Sequence, residues 1–180
     1  SNPGTTLGQQ RLNVFQQAAN QWGAILTSTV DIRVRAAFNP LTCSGTSAVL
    51  GSAGAVSVAR DFANAPRTGH SYSIALANSL AGTDINGTGT GFEEINSQFN
   101  TDIDNGTCLT GTTGWSYTVN NITDPPAAGT IPLLPVVFHE LGHGLGFQTF
   151  ASGATGALFN GFPDQWTQYL FDVSTNKNWS

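Results

Sequence analysis

Residues 136–147 read Val-Val-Phe-His-Glu-Leu-Gly-His-Gly-Leu-Gly-Phe and hold two of the chain's three histidines. On a helix, residues four apart share a face, with Cβ atoms about 5–6 Å apart. His139 and His143 can therefore turn imidazole nitrogens toward one cation, and imidazole suits Zn²⁺. Glu140 falls a step further round the helix, beside such an ion rather than on it. A general base belongs there, taking a proton from water that the ion has acidified. The chemistry this spacing predicts is metal-assisted hydrolysis. An amphipathic helix could carry two histidines by chance. The rarity of histidine in this chain, and a glutamate directly after the first of the pair, weigh against that.

Such a helix must be held rigidly. The apolar run Leu133-Leu134-Pro135-Val136-Val137-Phe138 predicts burial of its first half, with Pro135 in the first turn. Gly146 is expected to close it as a left-handed cap. Upstream, Leu12, Phe15, Ala18, Ala19, Trp22 and Ile25 recur at helical spacing and predict a long amphipathic helix over 9–26. Val30, Ile32 and Val34 alternate with Asp31, Arg33 and Arg35, predicting a half-buried strand over 29–38, ended by Asn39-Pro40. Further strands are expected at 55–59, at 72–76 and at 92–99, the last an edge strand near the cleft. Stretches 82–91, 102–114, 121–129 and 152–163 read as loops, and helical spacing resumes over 164–171 through Trp166, Tyr169 and Leu170. The expected fold is α+β. It has an N-terminal helix, a small mixed twisted sheet, an active-site helix and a short C-terminal helix, in one domain spanning 1–180.

Composition narrows the partners. Only 9% of the 180 residues are charged, the net charge is −5, and the six Lys and Arg form no cluster. Nucleic acid needs a basic footprint, so it is discounted as a partner. No apolar run is long enough to cross a bilayer. The two cysteines, Cys43 and Cys108, predict one disulfide and an oxidising compartment, the alternative being two buried thiols. Ser1-Asn2-Pro3-Gly4 reads as the start of a processed or trimmed chain. A secreted monomer acting on protein or peptide substrates is expected. Sequons at Asn86, Asn105, Asn121 and Asn178 arise easily in so Asn- and Thr-rich a chain and do not identify its source.

The run His139–Phe147 resembles the zincin metallopeptidases, and the metzincin clan in particular. That clan extends the motif as H-E-x-x-H-x-x-G-x-x-[HD]. Gly146 stands at the glycine position, but Thr149 stands where the third ligand is expected, and the chain has no methionine for a Met-turn. The motif and the low-charge composition also look like secreted bacterial proteins bearing H-E-L-G-H-G-L-G-F, which often carry further modules. The resemblance implies a zinc peptidase domain with His139 and His143 as ligands and Glu140 as general base, excised from a longer secreted protein.

Threonine is a poor zinc ligand, and a hydrolytic zinc site takes three protein ligands plus water. Beyond His143 the sequence contains no Glu or His, which leaves Asp164 and Asp172. Asp164 is the expected third ligand, and a helix N-cap is its competing role. Asp172, His70 and a residue beyond Ser180 are the alternatives. Tyr117 and Tyr169 are candidate donors to a developing negative charge, or aromatic packing residues. Asp84-Ile85-Asn86-Gly87 and Asp102-Ile103-Asp104-Asn105-Gly106 space oxygen ligands in a way that suits Ca²⁺, though Asx turns explain both. Two functions are carried forward. One is a secreted zinc metalloendopeptidase; the other is a secreted binding or adhesive module with a vestigial, non-catalytic metal site.

Overall fold

The computed structural model describes residues 1–89 and 91–179. Thr90, within the expected 82–91 loop, and Ser180 lie outside the described residues. In chain order the elements are α1 (Leu7–Ile25), β1 (Val34–Asn39), β2 (Gly51–Ala55), β3 (Val58–Arg60), β4 (Ser71–Ser73), α2 (Ile74–Ala81), β5 (Ile95–Asn100), β6 (Gly114–Ser116), β7 (Thr130–Pro132), α3 (Leu133–Leu145), β8 (Phe171–Asp172) and β9 (Lys177–Asn178). The fold is α+β, with small mixed sheets. Strands β1, β5 and β2 form a three-stranded sheet with β5 in the middle. The pairs β3–β4 and β8–β9 are antiparallel, and β6–β7 is parallel.

The chain packs as two compact units, each assembled from three separate stretches. The first comprises Ser1–Thr27, Arg35–Ala53 and Asn96–Gly142. Its core is Val14, Ala18, Phe99, Ile103, Cys108, Trp115, Leu133, Leu134, Val137 and Leu141. Helix α1 starts where the Thr6 hydroxyl accepts the Gln9 N–H at 3.2 Å, an N-cap that satisfies one otherwise orphaned donor. Cys43 and Cys108 form the expected disulfide, 65 residues apart in sequence. Closing a loop of that length stabilises the fold by about 4 kcal/mol in the chain-entropy account. Asn100 is buried, and its side-chain amide donates to the carbonyls of Leu41 and Val49, while Trp115 Nε1 donates to the Asn100 carbonyl. Strand β7 runs without a break into α3.

The second unit comprises Ser28–Val34, Gly54–Ile95 and the stretch from His143 on. Tyr72, Ile74, Ala75, Ala77 and Ile95 are buried there, together with the polar Ser73, Asn78, Glu94, Asp164 and Thr167. Glu94 is fully buried and is met by the Arg33 guanidinium at 2.9 Å and the Arg33 N–H at 2.6 Å. A buried carboxylate needs such pairing. These contacts explain why β1 begins at Val34 and not at Thr29: the Arg33 backbone turns to Glu94 and accepts the Glu94 and Ile95 N–H groups.

Three further expectations are corrected. The strand expected at 72–76 stops at Ser73 and gives way to α2. Ile-Ala-Leu-Ala-Asn-Ser-Leu-Ala favours helix by intrinsic propensity, and a short apolar run cannot be assigned by periodicity alone. Gly82, at φ +69°, ends α2 and donates to the Asn78 and Ser79 carbonyls. The strand expected as an edge at 92–99 becomes the central β5, starting at Ile95. The expected C-terminal helix is a single 3-10 turn, Thr167–Tyr169, followed by the β8–β9 hairpin. Among the described residues, no helix is long and apolar enough to cross a membrane.

Candidate metal centre

Leu133, Leu134, Val137 and Leu141 occupy one face of α3 and are buried in the first unit. At about 100° per residue, His139 and His143 fall roughly opposite that face and about 40° from each other. His139 is exposed, and Glu140 and His143 are half-exposed. The same apolar spacing that buries one face thus presents the two imidazoles on the other, with Glu140 about 60–100° round from them at the edge of the buried face. Pro135 is the third residue of the helix, where its missing N–H leaves no gap in the hydrogen-bond ladder.

The helix is clamped through its glycines and one tryptophan. The Trp22 ring stacks on Phe138 with centroids 4.4 Å apart, and Trp22 Nε1 donates to the Phe138 carbonyl at 2.9 Å. A Cβ on Gly142 would come within 3.2 Å of the Trp22 ring. A Cβ on Gly144 would lie 2.3 Å from Ile95 Cγ2, a distance no real contact permits. Gly146 has φ +128° and donates its N–H to the His143 carbonyl, ending the helix as expected.

Immediately after that turn, His143 Nδ1 lies 2.8 Å from the Phe147 carbonyl oxygen. A carbonyl oxygen only accepts, so Nδ1 carries the hydrogen, and in the neutral ring Nε2 carries the lone pair. Metal-binding histidines commonly donate their second ring nitrogen in this way. Two imidazoles on one helix are a partial donor set for zinc, which takes three protein ligands in a hydrolytic site.

Asp164 has a different setting. It is buried, and Oδ2 accepts from the Thr149 hydroxyl at 2.8 Å and the Phe150 N–H at 2.6 Å. Oδ1 accepts from the N–H groups of Trp166 at 2.7 Å and Thr167 at 3.0 Å. Four donors meet the carboxylate's four lone-pair directions. The helix N-cap expected as its competitor is not formed, since the 3-10 turn Thr167–Tyr169 has Trp166 at its N-cap without a side-chain cap bond, and Asp164 instead holds the two N–H groups that lead into that turn. Thr149, at the position where the resemblance places a third ligand, is one of those donors. The Gly146 carbonyl accepts from Gln165 Nε2 at 3.1 Å and from Trp166 Nε1, so residues 164–166 grip the turn that follows α3.

Among the described residues, no three His, Cys, Asp or Glu side chains gather as a group that could hold a metal ion. The imidazoles of His139 and His143 share α3, and Asp164 is not gathered with them. Asp172 accepts from the Ser174 and Thr175 side chains and backbone, which hold its carboxyl down at about 2, and it shapes the β8–β9 turn. His70 Nδ1 lies 3.1 Å from the Thr68 carbonyl.

The remaining candidates have structural partners. Tyr117 hydrogen-bonds Asp104, which Arg11 also meets at 3.1 Å. Burial, and then the bond to Asp104, push the Tyr117 phenol well above its ordinary range. Tyr169 is 70% exposed. At the first calcium candidate, the Arg33 guanidinium sits 2.6 Å from both Asp84 Oδ2 and the Gly87 carbonyl, so an internal cation already meets those oxygens. At the second, Asp104 takes Arg11 and the Trp115 N–H, and Asp102 accepts from Asn105.

Sequence reasoning missed an apolar cavity of about 240 Å³ lined by Phe147, Gln148, Thr149, Trp166 and Leu170. The only hint was a run of aromatics on either side of a loop. No protein-family model, no curated protein and no solved structure matches the chain.

Proposed function

We propose that the chain is a secreted zinc metalloendopeptidase. The observation that carries this reading is the pair His139 and His143 opposite the buried face of α3, with the partly exposed Glu140 at the edge between them and the core and the His143 tautomer set by the Phe147 carbonyl. His139 and His143 would hold the ion, with Asp164 as the proposed third ligand if it gives up the Thr149 hydroxyl. The chemistry such an ion would supply is Lewis acidity toward a carbonyl and a water of lowered pKa, about 7. Glu140 takes the proton of the attacking water and hands it to the leaving amine, so each turnover regenerates the carboxylate. The disulfide supports an oxidising, extracytoplasmic setting.

The experiment is a zinc titration alongside peptide hydrolysis, on the wild type and Glu140→Gln. We expect the variant to keep zinc and to lose about 10²–10⁴-fold in turnover. Undiminished hydrolysis by Glu140→Gln would reject the mechanism. A second reading, a binding module with a vestigial metal, is favoured by one observation, the lack of a gathered third ligand among the described residues. Stoichiometric zinc with no cleavage of any peptide would select it.

A further inference from the structure

Gly146 has no side chain and adopts φ +128°. That freedom leaves the plane of the Gly146–Phe147 peptide to be set from outside. The carbonyl of this peptide accepts twice, from Gln165 Nε2 at 3.1 Å and from Trp166 Nε1. A carbonyl oxygen offers two lone pairs, so the two donors fill it. A peptide unit is planar and rigid, and pinning its oxygen therefore pins the nitrogen of Phe147 as well.

Trp166 reaches Phe147 a second time. Its ring centroid lies 5.7 Å from that of Phe147, with the planes tilted by 36°, inside the roughly 4.5–7 Å range of favourable ring pairs. One indole thus holds Phe147 through the peptide before it and through its side chain. With the nitrogen and Cβ both held, tetrahedral geometry at Cα fixes where the carbonyl carbon lies. One torsion, ψ, is then left to aim the oxygen that meets His143 Nδ1 at 2.8 Å.

That torsion is limited from the other side. The Trp166 N–H donates to Asp164 Oδ1 at 2.7 Å, while Asp164 Oδ2 takes the Thr149 hydroxyl and the Phe150 N–H. The buried carboxylate ties the indole to the stretch just beyond Phe147, so the turn is closed on itself. All of these residues belong to the second unit.

We propose that Trp166 is a positioning residue for His143. By holding Phe147 through both its peptide and its ring, it keeps in place the carbonyl that selects the Nδ1–H tautomer and leaves the lone pair on Nε2. Gln165 is the second donor of the same device. The consequence for zinc rests on the metalloendopeptidase reading; the tautomer is a property of the metal-free protein.

The experiment compares the wild type with Trp166→Phe, which keeps an aromatic ring and removes the Nε1–H, and with Gln165→Met, which removes the other donor. Nitrogen-15 NMR of the metal-free proteins, well above an imidazole's ordinary pKa of about 6.5, reports which ring nitrogen carries the hydrogen. Loss of the signals in His143→Gln assigns them. We expect a single Nδ1–H form in the wild type and a mixture of both tautomers in Trp166→Phe. Zinc affinity, from competition with a chelator, should fall by about tenfold or more in Trp166→Phe, as when a contact behind a metal ligand is lost. A merely supporting role would lower the melting temperature and leave the His143 tautomer unchanged wherever the variant is folded. A folded Trp166→Phe protein with His143 purely in the Nδ1–H form overturns the proposal, as does a wild type with the hydrogen on Nε2. If Trp166→Phe does not fold, the same comparison in Gln165→Met decides. A tautomer that shifts in the variant of a wild type that binds no zinc upholds the positioning role and overturns the metalloendopeptidase reading.

Discussion

His143 Nδ1 lies 2.8 Å from the carbonyl oxygen of Phe147, four residues on, across the turn made by Gly146. The bond fixes which imidazole nitrogen donates and which offers a lone pair, so the glycine turn and the His143 tautomer are coupled. Gly146 adopts φ +128°, and a Cβ there would approach Ser73 Oγ at 3.2 Å. Gly146→Ala should therefore displace the Phe147 carbonyl and weaken zinc binding by about 10–100-fold, the usual cost of losing a supporting contact behind a metal ligand. Competition against a chromogenic chelator measures it. Unchanged affinity in a folded Gly146→Ala protein would show that the carbonyl does not support the site.

Asp164 accepts four hydrogen bonds and is buried. Asp164→Asn turns an acceptor oxygen into a donor facing N–H or O–H groups. We expect a loss of about 1–3 kcal/mol in urea unfolding, the cost of unsatisfied buried donors. Zinc affinity measured at a temperature where the variant is folded then separates the two roles. A matching fall places Asp164 in the ligand shell, and an unchanged value leaves it as the anchor of its turn.

Gly144 is required by Ile95, because an added Cβ would sit 2.3 Å from Ile95 Cγ2. Gly144→Ala should cost about 1–3 kcal/mol through overpacking. Combining it with Ile95→Ala should cost less than the sum of the single changes, with a coupling of about 0.5–3 kcal/mol. Additive losses would mean that the two positions do not meet.

Tyr117 titrates against Asp104 and Arg11. Burial raises its phenol above its ordinary value of about 10. A folded-state pKa above the unfolded one gives stability that is fully present below about pH 10 and is lost as pH rises toward the folded value. The Tyr117 phenol should resist ionisation in an ultraviolet absorbance titration until the protein unfolds. Tyr117→Phe should remove that component and flatten the alkaline fall in stability. An alkaline titration that Tyr117→Phe leaves unchanged would contradict the assignment.

The α1 helix, α3 and the disulfide were legible because each announces itself locally. Apolar residues at i, i+3 and i+4 predict a helix wherever it packs. The cysteines had only each other to pair with. The glycines at 142, 144 and 146 were visible in the motif, but their reasons were not. Trp22, Ile95 and Ser73, which crowd them, are far away in sequence. Strand 92–99 was read from alternation, yet alternation cannot tell an edge from a centre. Only the placement of β1 and β2 on either side of β5 made it central. The segment 164–171 has helical spacing, but Asp164 takes the N–H groups of Trp166 and Thr167, and Leu170 then leaves in an extended conformation.

The α+β class, the single disulfide and the face of α3 that carries His139 and His143 were determined by the sequence alone, because they depend on periodicity and residue type over short distances. Tertiary structure decided what those side chains meet. It paired the His143 ring with Phe147, gave Asp164 its four donors, set Arg33 against Asp84 and Glu94 and opened an apolar pocket beside Trp166. Each of these joins groups through backbone turns and long loop closures, and loop closure leaves no periodic trace in a sequence.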